Sequence, residues 1–183
     1  MPTYIALLRG INLGPRNKIA MADLRELLQS LGLESVRTHI LSGNVIFTSR
    51  RRSIPRLERQ IERAIKQRFG HEIRVLIRTA DEIAAVVDDN PLSERATDGS
   101  QLFALFLERD PDPKRMEAID ADALAPEQFR LGDRVIYALV RQGVQGSKLF
   151  GAVSDKRLGV AMTNRAWNTV TKLVDLSKRS KES

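Results

Sequence analysis

Apolar and polar positions change period along the chain, and the changes predict its elements. Tyr4 to Leu8 is an unbroken apolar run inside Thr3 to Arg9, the pattern of a strand covered on both faces. Gly10 to Ala20 carries Gly10, Asn12, Gly14, Pro15 and Asn17 and reads as a loop. Met21, Leu24, Leu27, Leu28 and Leu31 then recur at helical spacing, and Gly32 is a natural C-terminal stop. Val36 to Leu41 and Asn44 to Thr48 form the arms of a hairpin turned at Ser42-Gly43-Asn44. Ile54, Leu57, Ile61, Ile65 and Phe69 make a second helical stripe, begun by Ser53 as N-cap with Pro55 in the first turn. Ile73 to Arg78 alternates apolar and polar residues, the period of a half-exposed strand. The order is βαββαβ.

The second half repeats this order. A helix is expected over Ala80 to Val87, and the turn formers from Asn90 to Ser100 mark the boundary between repeats at 1–90 and 91–183. Gln101 to Glu108 is a strand and Pro113 to Ile119 a short helix. Gln128 to Leu131 pairs across Gly132-Asp133 with Arg134 to Val140. Ser147 to Val153 is helical, Leu158 to Met162 is the last strand, and Arg165 to Leu176 the closing helix. The polar tail from Ser177 to Ser183 is expected to fray. In each repeat the first and third strands are the most apolar, which puts them at the centre of a sheet. The strands around Val36 and Ile73 are interleaved with Arg37, His39, Arg74 and Arg78, as edges are. The pattern predicts an α+β fold of two ferredoxin-like repeats with extra helices. The open sheet faces are expected to be covered by the other half, by added helices or by a second subunit.

Composition narrows the classes. A hydrophobic share of 42% and a charged share of 29% over 183 residues describe a globular chain. No apolar run approaches the roughly 20 residues of a bilayer span, and no basic segment precedes the first apolar run, so neither a membrane partner nor a signal peptide is expected. The absence of cysteine removes thiolate chemistry and cysteine-ligated zinc, and fits a cytoplasmic setting. Net charge is +7, and it is concentrated: ten basic residues and three acids lie between Arg50 and Arg78. Such a stripe can attract polyanions; it can equally be a solvated helix face. Few aromatics accompany it, so base stacking on rings is not indicated.

Leu8-Arg9-Gly10-Ile11-Asn12-Leu13-Gly14, followed by Met21-Ala22-Asp23-Leu24-Arg25, resembles the opening of the domain of unknown function 1697 family. The resemblance continues through Leu31-Gly32, Val36-Arg37-Thr38 and Ser42-Gly43-Asn44-Val45-Ile46-Phe47. It returns at Thr163-Asn164-Arg165-Ala166-Trp167-Asn168-Thr169-Val170. It implies a duplicated ferredoxin-like fold and brings no activity, substrate or catalytic residue.

Candidate chemistry lies in the loops. Gly10 to Ala20 joins a central strand to a helix, where backbone N–H groups with Arg9, Asn12 and Lys18 could face an anion; a plain strand-to-helix connection explains the same glycines. Asn44 sits at a hairpin tip. Gln142 to Lys148 has neither the spacing nor the residue order of a phosphate loop, although Lys148 can contact an anion and Ser147 can cap a helix. Thr163 or Asn164 is expected to cap the final helix, leaving Arg165 in its first turn against the helix dipole, in need of an anionic partner. His39 and His71 show no metal-ligand spacing, and no nucleophile elbow occurs. No metal, cofactor or reaction is indicated. Three functions remain open: binding a phosphorylated or nucleotide-like small molecule through Arg9, Asn12, Lys18, Asn44, Lys148 and Arg165; sequence-independent nucleic-acid binding through Arg52, Arg56, Arg59 and Arg63; and an interaction protein working through an oligomeric sheet face.

Overall fold

The computed structural model describes residues 1–179. The fold is α+β and built from two four-stranded antiparallel sheets, each with ferredoxin-like βαββαβ order. The first repeat comprises β1 (Thr3–Leu8), α1 (Met21–Ser30), β2 (Glu34–His39), β3 (Asn44–Thr48), α2 (Ile54–Phe69) and β4 (Val75–Thr79). Its sheet runs β2-β3-β1-β4, so the two apolar strands are central and the charged ones are edges. After α3 (Ala80–Asp88), the second contains β5 (Leu102–Leu107), α4 (Pro113–Glu117), β6 (Gln128–Gly132), β7 (Val135–Leu139), α5 (Lys148–Ala152), α6 (Asp155–Leu158) and β8 (Met162–Ala166), with α7 (Trp167–Arg179) closing the chain. Its sheet runs β6-β7-β5-β8. The described residues divide into two compact units, Met1–Ala84 with 172–179, and Ala85–Thr171.

The first core is made by one face of its sheet and two helices. Tyr4, Ala6, Leu8, Val45, Phe47, Val75 and Ile77 pack with Leu24 and Leu28 of α1 and with Leu57, Ile61 and Ile65 of α2. Each large side chain buried here stabilises by about 1.5–3 kcal/mol before entropy. Residues on the opposite face of β1 and β3, such as Ile5, Leu7 and Ile46, are buried as well, which is why those strands read as unbroken apolar runs. In the second core Phe103, Leu105, Ile136, Ala138 and Met162 pack with Leu149, Val153 and Leu158.

Four expectations need correction. β4 is not half exposed: Arg78 is only 3% exposed and donates to the Ile77 carbonyl at 3.0 Å. It therefore does not join the solvent-facing basic stripe. Leu158 ends the short helix α6 at a left-handed Gly159, and the last strand runs over Met162–Ala166. Asn164 and Arg165 thus pair with Leu105 and Ala104 of β5, and α7 starts at Trp167. Strand pairing outweighs the capping preference of Thr163 and Asn164. At the other end α7 continues to Arg179, and the Ser177 hydroxyl donates to the Val174 carbonyl; the fraying expected for 180–183 lies outside the described residues.

An edge strand exposes unpaired N–H groups unless something covers them. On β4 the cover comes from α2. Glu62 accepts the Val75 N–H and Glu58 accepts the Ile77 N–H, each at 2.9 Å. The two carboxylates are one helical turn apart and the two amides two strand residues apart, and these repeats match closely.

The loop after β1 is tied to the β2–β3 hairpin by one side chain. Asn12, at φ 54°, donates to the carbonyls of Ile19 and Leu41 at 2.9 and 2.8 Å, and accepts the Ile19 N–H at 2.9 Å. The hairpin closes on the same loop. The Leu8 N–H donates to the Gly43 carbonyl, and a side chain at Gly43 (φ 83°) would lie 2.8 Å from Leu8 and 2.9 Å from Ile11. Ile40 holds φ 51°, an unfavourable region for a β-branched residue.

Two predictions follow from these bonds. Glu58→Ala and Glu62→Ala each lower stability by about 1–2 kcal/mol in a denaturant titration, and the glutamine variants, which keep an acceptor oxygen, recover most of it. Asn12→Ala loses about 2 kcal/mol, whereas Asn12→Asp, which keeps the acceptor and loses the donor, falls between it and the parent.

Candidate functional site

α2 has three distinct sides. Leu57, Ile61, Ala64 and Ile65 enter the core. Glu58 and Glu62 flank that stripe and reach β4. Arg52, just before the helix, and Arg56, Arg59 and Arg63 within it are all exposed. At 3.6 residues per turn Arg56, Arg59 and Arg63 fall within about 60° of arc, opposite the apolar stripe, and Arg52 precedes them in the chain. Arg56 and Arg63 are about 10 Å apart along the axis at 1.5 Å per residue.

No acid pairs directly with the row. All three acids of the basic segment are engaged elsewhere: Glu58 and Glu62 with β4, and Glu72 with Lys66. Arg68 pairs with Glu26 at 3.4 Å. Arg51 is a brace, donating to the Leu31 carbonyl at 3.0 Å and to Gln60 at 2.8 Å. Among the described residues the guanidinium groups of Arg52, Arg56, Arg59 and Arg63 have neither ion pair nor hydrogen bond. The first turn of α2 holds no acid, and the Ser53 side chain does not cap it, so the positive end of the helix dipole adds to the field of Arg52 and Arg56.

Beside the row lies a cleft of about 420 Å³ between α2 and the chain entering β4. Ile73, 4% exposed, contributes an apolar floor. Arg59 and Arg63 line the α2 side, and Arg74, 3.7 Å from Glu62, stands opposite. The Lys66–Glu72 pair completes the lining. The sequence pattern puts Arg74 on a strand edge and marks Ile73 only as an apolar strand position. The cleft depends on the approach of α2 to β4, which residue spacing does not reveal.

The loop candidates fare differently. Arg9, Lys18 and Lys148 are exposed. The polar atoms of Asn12 hold the loop and hairpin together, as described above. Asn44 is fully buried and donates to the His39 carbonyl at 3.1 Å and to the Ser42 hydroxyl at 3.2 Å. Arg165 is 7% exposed and donates to Thr163 Oγ1 and the Asn164 carbonyl, both at 2.7 Å. Burial brings its pKa down to about 10, so it stays charged at neutral pH. Because Arg165 lies in β8, the argument from a helix dipole does not apply to it. Arg9, Asn12, Lys18 and Asn44 belong to the first unit, Lys148 and Arg165 to the second. Ser147 caps α5 and also donates to Glu127 at 2.9 Å.

Two further groups are shifted by their surroundings. The His39 pKa is lowered by burial and by the nearby Lys172, and Tyr137 is pushed up to about 12 by burial, with Asp89 and Asp133 adding to the effect. Among the described residues no three His, Asp or Glu side chains are grouped to hold a metal, and no helix is long and apolar enough to cross a membrane.

The chain is similar to the conserved bacterial protein SP0830 from Streptococcus pneumoniae, with 25% identity and a TM-score of 0.76 over 96% of this chain and 98% of that one. No curated protein matches it. The model of the family described as "Protein of unknown function (DUF1697)" matches residues 1–137, three quarters of the length. The chain belongs to the DUF1697 family.

Proposed function

We propose that this protein binds nucleic acid without regard to sequence, holding the phosphate backbone along the arginine row of α2. The carrying observation is the separation of charge on that helix: its acids are bound to the edge of the sheet, and Arg52, Arg56, Arg59 and Arg63 face solvent unpaired. A solvated face built for solubility alone commonly mixes both signs. Here one sign stands alone, over a length that spans consecutive phosphates. Arginine suits this role because its planar, permanently charged fork can engage two phosphate oxygens at once. The row contains no arrangement for reading base edges in a groove, so the contact positions a backbone and specifies no sequence.

Fluorescence anisotropy against salt tests this reading. Four backbone contacts give a slope of log affinity on log salt of about −3 for single strands and about −3.5 for duplex. Replacing Arg56 and Arg59 together by glutamine reduces its magnitude by about 1.5, while Lys148→Gln leaves it unchanged. Binding that ignores salt, or survives the double replacement intact, would rule the row out.

A further inference from the structure

We infer that the strand held by α2 is single, and that one of its bases enters the cleft between α2 and the chain leading into β4. This rests on the nucleic-acid reading above and narrows it to a substrate class.

The row and the cleft share residues. Arg59 and Arg63 belong to the exposed line of guanidinium groups and also form one wall of the cleft. A backbone lying on the row therefore passes the cleft's mouth. A phosphate needs only cations, but the cleft has an apolar floor in Ile73 and a volume of about 420 Å³, in the range of small-molecule sites. Those features suit a flat, partly apolar group. Guanidinium planes stack on base faces, and Arg74 is steadied for such a contact by Glu62 at 3.7 Å. The absence of aromatic rings beside the row does not remove stacking, because arginine can supply it. Glu72, paired with Lys66 in the lining, offers a carboxylate to base N–H groups. In a duplex the bases are stacked and paired inside, where the cleft cannot reach them without unstacking. A single strand presents backbone and unstacked base together.

Three labelled polymers of equal length separate the possibilities: single-stranded oligodeoxyadenylate, an oligomer with every site abasic, and a duplex. The first two carry the same phosphates and differ only in their bases. Oligodeoxyadenylate is expected to bind about tenfold more tightly than the abasic oligomer. A 2-aminopurine placed within the strand should brighten on binding, as its ring leaves its stacked neighbours. Arg74→Ala removes a wall of the cleft and leaves the row in place. It should abolish the advantage of the base-bearing strand without changing abasic binding, with an unchanged melting curve showing that the fold is intact. The brightening in the parent protein gives a readout independent of that variant. Equal binding of abasic and base-bearing strands, or a preference for duplex, overturns base entry and leaves backbone binding standing. Failure of all three polymers to bind removes the backbone reading, and base entry with it.

Discussion

The contact between two carboxylates and one strand edge organises the first repeat. Glu58 and Glu62 accept the outward amides of β4, and this does two things at once. It covers an edge that would otherwise be open to pairing with another chain. It also fixes the rotation of α2 about its axis, because both acids must face the strand while Leu57, Ile61 and Ile65 face the core. Once those two sides are assigned, the remaining one can only be the arginines. The exposed row thus follows from the way the edge is protected. The same approach of helix to strand brings Arg59 and Arg63 across from Ile73 and Arg74 and so creates the cleft.

Much of the fold was legible because burial leaves a periodic trace. The unbroken apolar runs of β1, β3, β5 and β7 mark them as central, and the structure puts them there. The errors arose where two local signals compete. Thr163 and Asn164 are good helix caps, but their backbone pairs with β5, and a sequence window contains no information about a partner sixty residues away. Arg78 looked like a surface cation because burial of an arginine is rare and depends on partners that spacing cannot show.

The candidate site was legible in part. The basic segment was visible as a count, and Arg56, Arg59 and Arg63 share a face by simple helical arithmetic. Their isolation was not visible. Glu58 and Glu62 stand close enough in sequence to pair with their neighbours, and only the position of β4 shows that they reach the strand instead. The loop residues illustrate the converse. Asn12 and Asn44 have the chemistry of ligand-binding side chains, yet here they make internal bonds that hold a loop and a turn, including one with an unfavourable φ at Ile40. A buried amide in a loop satisfies backbone groups that regular structure leaves unpaired.

The duplication is unequal in a way that bears on stoichiometry. Where the first repeat has α2, sixteen residues long, the second has α5 and α6, of five and four residues. Neither is long enough to carry a comparable line of side chains. Among the described residues the duplication therefore carries a single α2-type face, and if that face binds a polyanion as proposed, it does so without the avidity that paired faces would bring. A long polyanion would then be occupied by many copies side by side, each covering its own short stretch.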